Sequence, residues 1–413
     1  MSQRRVVVTG MGAVTPIGIT VDSFWDSLLR SASGVRTVTR FNTSGFDVRI
    51  GAECLDFKGE DHIDRKTIKR MDRFVQFALV AAREAYNATG LTSEAFDPDR
   101  VGVIVGSGIG GLLEIEAQKE RLILKGPGKV SAFTIPKLMV NAASGNISID
   151  LGFRGPSTAI STACASATDA MGSALENIRR GRADIVFTGG TEAALTPLGL
   201  SAFAAMKALS VRDVPPEQAS CPFDAERDGF VLGEGAAVVV FEEYEHAKKR
   251  GAPILAEVAG YGATSDANHI TQPTEDGVGA AAAMSHALEN AGVNPDDVSY
   301  INAHGTATPL GDVAETIAIK RVFGDAARQI PISSTKSSIG HLLGASGGAE
   351  LVATVNAIVH GIAPPTINLH HPDPECDLDY VPNTPRDLRI NVAMSNSFGF
   401  GGHNACIVLK RIK

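Results

Sequence analysis

The stretch Ile160-Ser161-Thr162-Ala163-Cys164-Ala165-Ser166-Ala167-Thr168 reads as a short β-type run that ends in a cysteine and opens a helix of small residues, roughly Ala165 to Arg180. A thiol at that junction lies where unpaired backbone N–H groups and the helix dipole favour negative charge, which favours the nucleophilic thiolate. A free cysteine is also a good buried apolar residue. The segment therefore poses a choice between nucleophile and core thiol that its surroundings must decide.

Outward from it, the same grammar of strand, glycine turn and helix recurs. Val6 to Thr9 leads into Gly10-Met11-Gly12, and Val101 to Val105 into Gly106-Ser107-Gly108-Ile109-Gly110-Gly111. Arg65 to Tyr86 is the clearest amphipathic helix, with Met71, Phe74, Val75, Ala78, Leu79 and Ala82 on one face. A further helix is expected over Pro136 to Asp150, and strands over Asp184 to Thr188 and Ala236 to Phe241. Beyond residue 250 the pattern repeats: a strand from Ile254, a helix from Gly277, a strand ending at His304, a helix from Asp312, a strand from Ile332, then a helix from about Gly340 to His360 closed by Gly361.

Two pairs of segments match in order. Ile160 to Cys164 aligns with Ile332-Ser333-Ser334-Thr335-Lys336, and Ile185 to Gly190 with Val392 to Asn396. Mostly apolar strands alternating with helices imply sheets covered on both faces. The expectation is an α/β protein of two duplicated halves, 1–250 and 251–413, packed as a five-layered body with the active site between them.

Bulk properties narrow the function. The chain has 413 residues, a formal net charge of −8 and 43 glycines, enough for a large, tightly packed core. The acidic balance speaks against a nucleic-acid partner. No signal-like or membrane-spanning stretch is expected, and the five cysteines (54, 164, 221, 376, 406) show no CxxC spacing. The expectation is a soluble, cytoplasmic protein without a disulfide framework or a zinc site.

Two histidines share the context of Cys164. His304 ends a strand in Asn302-Ala303-His304-Gly305-Thr306-Ala307-Thr308, and His341 is expected just inside a helix start in Lys336-Ser337-Ser338-Ile339-Gly340-His341. Strand-to-helix junctions are where open α/β sheets place ligands. A cysteine hydrolase would use one histidine as base and an Asn or Asp to orient it. A carbon–carbon bond-forming acyltransferase needs a thiol together with N–H donors for an enolate oxygen, and two neutral histidines suit that case.

These motifs, with Asn396-Ser397-Phe398-Gly399-Phe400-Gly401-Gly402 and Pro222 to Phe230, give the chain an end-to-end resemblance to the β-ketoacyl-[acyl-carrier-protein] synthases, the elongating condensing enzymes of the thiolase-like fold, and within them to the synthase II branch. The resemblance implies two βαβαβαββ halves in an α-β-α-β-α body. It implies that Cys164 takes the acyl chain as a thioester, that His304 and His341 stabilise the enolate formed from malonyl-carrier protein, and that Lys336 orders the His341 side of the pocket with Glu350 as its partner. Backbone N–H groups of Cys164 and Phe400 would form the oxyanion hole, Phe400 being also the gate residue. Thr306 and Thr308 would bind the carrier's phosphopantetheine arm, and Ile109 and Phe203 would line the acyl pocket. No cofactor or metal beyond that carried arm is implied, and a homodimer is. A degradative thiolase would need a second active-site cysteine, and an acetyl-CoA-primed synthase an Asn in place of His341. A polyketide-type ketosynthase is the alternative within the family. His403, where many relatives have Thr, is the one departure.

Three further readings concern surfaces and decoys. Arg65, Lys66, Lys69, Arg70 and Arg73 crowd one helix start and, with Lys207, suit an acidic carrier protein. Gly106-x-Gly108-x-x-Gly111 formally fits a dinucleotide fingerprint, but no acidic residue closes a strand about twenty positions on, so a nicotinamide-dependent oxidoreductase is disfavoured. A scaffold that only binds acyl carriers would show no thiol reactivity.

Overall fold

The structure is a computed structural model and describes residues 3–92 and 94–412. Ten strands carry it. In the first half they are β1 (Val6–Val14), β2 (Val101–Gly106), β3 (Ser157–Ile160), β4 (Ile185–Glu192) and β5 (Gly235–Glu243); in the second, β6 (Ala256–Ser265), β7 (Tyr300–Asn302), β8 (Ile332–Ser333), β9 (Val392–Gly399) and β10 (His403–Lys410). Six helices join them: α1 (Arg73–Ala88), α2 (Ala142–Leu151), α3 (Ser166–Arg179), α4 (Val278–Ala291), α5 (Pro309–Phe323) and α6 (Ser346–His360). Each half thus reads β-α-β-α-β-α-β-β.

The strand order is β3-β2-β4-β5-β1-β6-β10-β9-β7-β8, which is one five-strand order followed by its reverse. Pairing types match as well. β2 is parallel to β3 and β4, as β7 is to β8 and β9, while β4/β5 and β5/β1 are antiparallel like β9/β10 and β10/β6. The halves join where Val7 and Val8 of β1 meet Glu257 and Ala256 of β6.

β1, β2, β4 and β5 are buried along their whole length and mostly apolar or small because both faces are covered, while the edge strand β3 is partly exposed. Val238 and Val240 of β5 pack toward α1 with Phe74, Phe77 and Phe187, whereas Val239 and Phe241 pack toward the centre with Met171, Leu175, Leu351 and Val355. Met284, Ile301, Ile319 and Met394 build the corresponding outer core of the second half. Helices α3 and α6 form the shared middle layer, so the body has the order α-β-α-β-α.

Three expected helices have different limits. The Arg65 to Tyr86 helix is two pieces, Arg65–Ile68 and Arg73–Ala88, because the Asp72 carboxylate accepts from Phe74 N–H and also, at 2.8 Å, from Glu114 N–H, holding residue 72 extended. Pro136 to Asp150 is likewise broken into Thr134–Leu138 and Ala142–Leu151 by an extended Met139. The last long helix starts at Ser346 rather than Gly340, since Gly340 takes φ +67° and the next residue, His341, donates its N–H to Val231 O at 2.7 Å.

That last difference corrects the internal alignment. Both middle-layer helices follow a tight elbow, Ala163–Ala165 before α3 and Leu343–Ala345 before α6. The counterpart of Cys164 is therefore Gly344, not Lys336; residues 334–342, which carry Lys336 and His341, are an excursion found only in the second half.

Candidate active site

Cys164 sits in the first elbow, 6% exposed, directly before the N-terminus of α3. Ala163 is held at φ +50°, as is Leu343 in the second elbow. Left-handed backbone at a residue with a Cβ is unfavourable and persists only where packing enforces it. Gly399 presses on this turn from the end of β9: a Cβ there would lie 3.0 Å from Cys164 N.

His341 Nε2 lies 3.0 Å from Cys164 Sγ, and its Nδ1 accepts from Leu343 N–H at 3.2 Å. An accepting Nδ1 leaves the ring proton on Nε2, so the proton-bearing nitrogen faces the sulfur. His304 is fixed by a different device with the same result: Lys336, expected on the His341 side, donates its Nζ to His304 Nδ1 at 3.3 Å instead, because its side chain reaches the end of β7 rather than the His341 ring. The two rings meet edge to face with centroids 5.5 Å apart. Lys336 is 1% exposed and spends its three donors on His304 Nδ1, His304 O at 2.5 Å and Glu350 Oε1.

Electrostatics follow from burial. Both histidines are held well below the ordinary 6.5, first by desolvation and then by the Lys336 charge, so each is a neutral N–H donor at pH 7. Desolvation also raises the Glu350 carboxyl, against the pull of Lys336. The thiol differs from the thiolate expected at a helix start. Burial pushes Cys164 up to about 11, against the Phe400 backbone N–H and Lys336, which draw it down.

A cavity of about 240 Å³ joins these groups. Ile109, Phe203, Phe230 and Leu343, which belong to one apolar cluster, line it together with Thr306, Thr308, Thr271 and Thr274. Thr306 and Thr308 share a hydrogen bond of 3.0 Å between hydroxyls. Phe400 lies in the turn that joins β9 to β10, with Gly401 at φ +82°. His403 opens β10 and pairs with Gly399 across that turn.

The expected surface residues separate. Lys66, Lys69, Arg70 and Lys207 are exposed. Arg73 is not: its guanidinium holds the buried Glu234 at 2.8 Å. The glycine fingerprint after β2 is also accounted for, since the N–H groups of Gly108, Ile109 and Gly110 all point to the Glu192 carboxylate and leave none of those three donors for a phosphate.

Glu350 apart, sequence reasoning passed over the buried acids around the site. Glu315 accepts from the N–H groups of His304 at 2.9 Å and Gly305 at 2.8 Å. Asp312 accepts from Phe223 and Ala307 N–H and is pushed up to about 7 by burial. Glu192 ends a strand that is otherwise apolar or small, and that pattern was a usable signal, because a carboxylate is seldom buried without work to do.

Comparison with known proteins bears on the chain as a whole. A family described as "Beta-ketoacyl synthase, N-terminal domain" matches residues 3–247, and "Beta-ketoacyl synthase, C-terminal domain" matches 255–370. The chain is 50% identical over 411 residues to a protein of Synechocystis sp. named 3-oxoacyl-[acyl-carrier-protein] synthase 2, covering 100% of this chain and 99% of that one. It is 50% identical over 412 residues to a protein of the same name from Coxiella burnetii, covering 100% of each. Among solved structures it resembles a "type II PKS acyl-carrier protein in complex with its ketosynthase bound to the hexaketide" (TM-score 0.92, 38% identity, 100% of both chains). It also resembles a β-ketoacyl synthase from Burkholderia phymatum (TM-score 0.92, 37% identity, 99% of this chain and 100% of that one).

Proposed function

The chain belongs to the β-ketoacyl synthase family, and on that premise we propose that Cys164, His304 and His341 carry out a decarboxylative Claisen condensation that lengthens an acyl chain by two carbons. The observation that carries the proposal is the pair of neutral rings whose Nε2–H groups border the same cavity as the thiol. In the first step the Cys164 sulfur attacks the carrier thioester, and its proton leaves with the carrier thiol, so the exchange is neutral in protons. The N–H groups of Cys164 and Phe400 hold the tetrahedral oxygen. Malonyl-carrier protein then loses carbon dioxide, and its enolate oxygen receives hydrogen bonds from His304 and His341. The carbanion attacks the Cys164 thioester, and one proton taken up restores the thiol.

Neutral histidines serve this step better than cations. They donate without surrendering a proton to the enolate, which would quench the carbanion before it attacks. Lys336, held by Glu350, keeps His304 in its donating tautomer. Thr306 and Thr308 bind the phosphopantetheine arm, and Ile109 and Phe203 border the acyl chain.

The partner is an acyl carrier protein, met by Lys66, Lys69, Arg70 and Lys207; their exposure on a chain of formal net charge −8 supports this reading, as does the carrier complex of the similar ketosynthase. Fatty-acid elongation is preferred to polyketide synthesis because the 50% identical relatives are named 3-oxoacyl-[acyl-carrier-protein] synthase 2. We divide the chain into halves at 250/251, in keeping with family matches that stop at 247 and resume at 255. The protein works as a homodimer: β3 is a sheet edge, Ile149 stands 83% exposed on α2 packed beside it, and Ile135 and Ile123 stand 61% and 68% exposed on helices Thr134–Leu138, which packs on α2, and Leu112–Lys125, which packs on Thr134–Leu138. No helix is long and apolar enough to cross a membrane among the described residues; five unpaired cysteines suit a reducing cytoplasm.

The deciding experiment compares Cys164→Ala with His304→Ala. The first should lose condensation yet release carbon dioxide from malonyl-carrier protein, and the second should lose that release. Loss of both activities in folded Cys164→Ala would overturn the assignment.

A further inference from the structure

Glu192 ends β4 fully buried, and its five hydrogen-bond partners are all donors. Oε1 accepts from the Ser107 hydroxyl at 2.9 Å and from the N–H groups of Ile109 at 3.2 Å and Gly110 at 3.3 Å. Oε2 accepts from Gly108 N–H at 2.7 Å and Gly344 N–H at 3.1 Å. The carboxylate thus ties the turn after β2, in the first half, to the second elbow, in the other. Ile109, one of those anchor points, and Leu343, next to Gly344, both line the cavity that Cys164 borders.

The duplication explains this placement. β4 and β9 each run eight residues, and their last residues are Glu192 and Gly399. Gly399 approaches the first elbow at Cys164 N; Glu192 approaches the second elbow at the N–H of Gly344, which stands where Cys164 stands in the other half. The elbow N–H that faces a substrate oxygen in one half is occupied in the other by a carboxylate of the protein itself. Gly344 has no room for a side chain: a Cβ would lie 2.4 Å from Gly108 N and 2.7 Å from Glu192 Oε2.

We infer that Glu192 is a positioning residue that clamps the Gly108–Gly110 turn against the Leu343–Gly344 elbow, fixing the acyl pocket between Ile109 and Leu343 and so governing which chain length Cys164 accepts. The inference rests on the reading of Cys164 as the acyl-bearing residue. Only a carboxylate meets the requirement. An amide at position 192 keeps one oxygen and turns its NH₂ toward N–H donors on the other side, leaving buried donors without an acceptor whichever way it points.

The test uses the full chain with Glu192→Gln, Glu192→Asp and the milder Ser107→Ala, which removes one hydroxyl donor and covers the event that the glutamine variant does not fold. Acylation of Cys164 from hexanoyl- and palmitoyl-carrier protein is followed by intact mass, beside carbon dioxide release from malonyl-carrier protein. Glu192→Gln should change the palmitoyl-to-hexanoyl rate ratio by about tenfold, the equivalent of one orphaned buried donor, with Ser107→Ala shifting it the same way and Glu192→Asp partly restoring it. An unchanged ratio, whether the rates hold or fall together with carbon dioxide release, would overturn the inference. Wild-type protein that is not acylated at Cys164 would instead overturn the reading beneath it.

Discussion

Cys164 shows how two effects at one atom are weighed. The helix start and the Phe400 N–H favour the thiolate, while desolvation pushes the thiol up to about 11. It should still react ahead of the other four: Cys221 and Cys376 are pushed up to about 12, Cys54 and Cys406 stand well above the usual range, and of the five only Cys164 borders the cavity that His304 and His341 line. Limiting iodoacetamide should therefore modify Cys164 first, at a rate that climbs about tenfold per pH unit between about pH 7 and 9. A plateau below that range would mean the helix start outweighs burial. The histidines have the opposite sign. Their folded pKa values lie below 6.5, so as pH falls through that value the unfolded chain takes up protons that the folded chain refuses. Their contribution to stability is complete above about 6.5 and is lost progressively below it. Malonyl decarboxylation should accordingly stay flat down to about pH 6; an acid limb centred near 6.5 in the pH–rate profile would show that one ring titrates normally.

At the scale of elements, the nucleophile is held by close backbone approaches. A Cβ at Gly106 would lie 2.3 Å from both C and O of Ser166, so the end of β2 is pressed against the first turn of α3. Gly106→Ala should lower the unfolding free energy by about 1–3 kcal/mol, measured by chemical denaturation, since backbone cannot step aside as a flexible side chain would. An unchanged midpoint would show that α3 shifts freely. The glycine's need was hidden in the sequence because Ser166 lies sixty residues further on. The break in the first long helix was hidden for the same reason. Asp72 is an ordinary helix residue until the remote Glu114 N–H captures its carboxylate, and that capture also divides the basic cluster, leaving Arg73 to a buried ion pair.

At the scale of the molecule, the two faces that matter lie outside the core. Light scattering should give a dimer for wild-type protein and a monomer for Ile123→Glu with Ile135→Glu, because two charges on each protomer are then buried at an isologous contact; a monomeric wild type would remove the dimer from the proposal. Charge reversal at Lys66 and Lys69 should raise KM for carrier-bound substrate and weaken its salt dependence while leaving Cys164 alkylation unchanged. Arg70 is a poorer probe, since its guanidinium also lies 5.1 Å from the Phe133 ring centre. Equal kinetics with and without the reversal would move the carrier elsewhere.

Local pattern alone was enough for the α/β class and the duplicated order of strands and helices, and it singled out Cys164, His304 and His341 as candidates, because chemistry-bearing side chains at strand ends among glycines stand out against apolar runs; the role of Lys336 came only from the family resemblance. Tertiary structure decided what depends on groups far apart in the chain. It paired Cys164 with Gly344 as equivalent elbows, set each histidine's tautomer through Leu343 or Lys336, and turned the glycine-rich turn toward Glu192 rather than toward a phosphate. Those outcomes rest on groups that only the packed fold brings together, such as Glu192 with Gly108, 84 positions apart, and Lys336 with His304, 32 apart, and neither periodicity nor spacing carries that information.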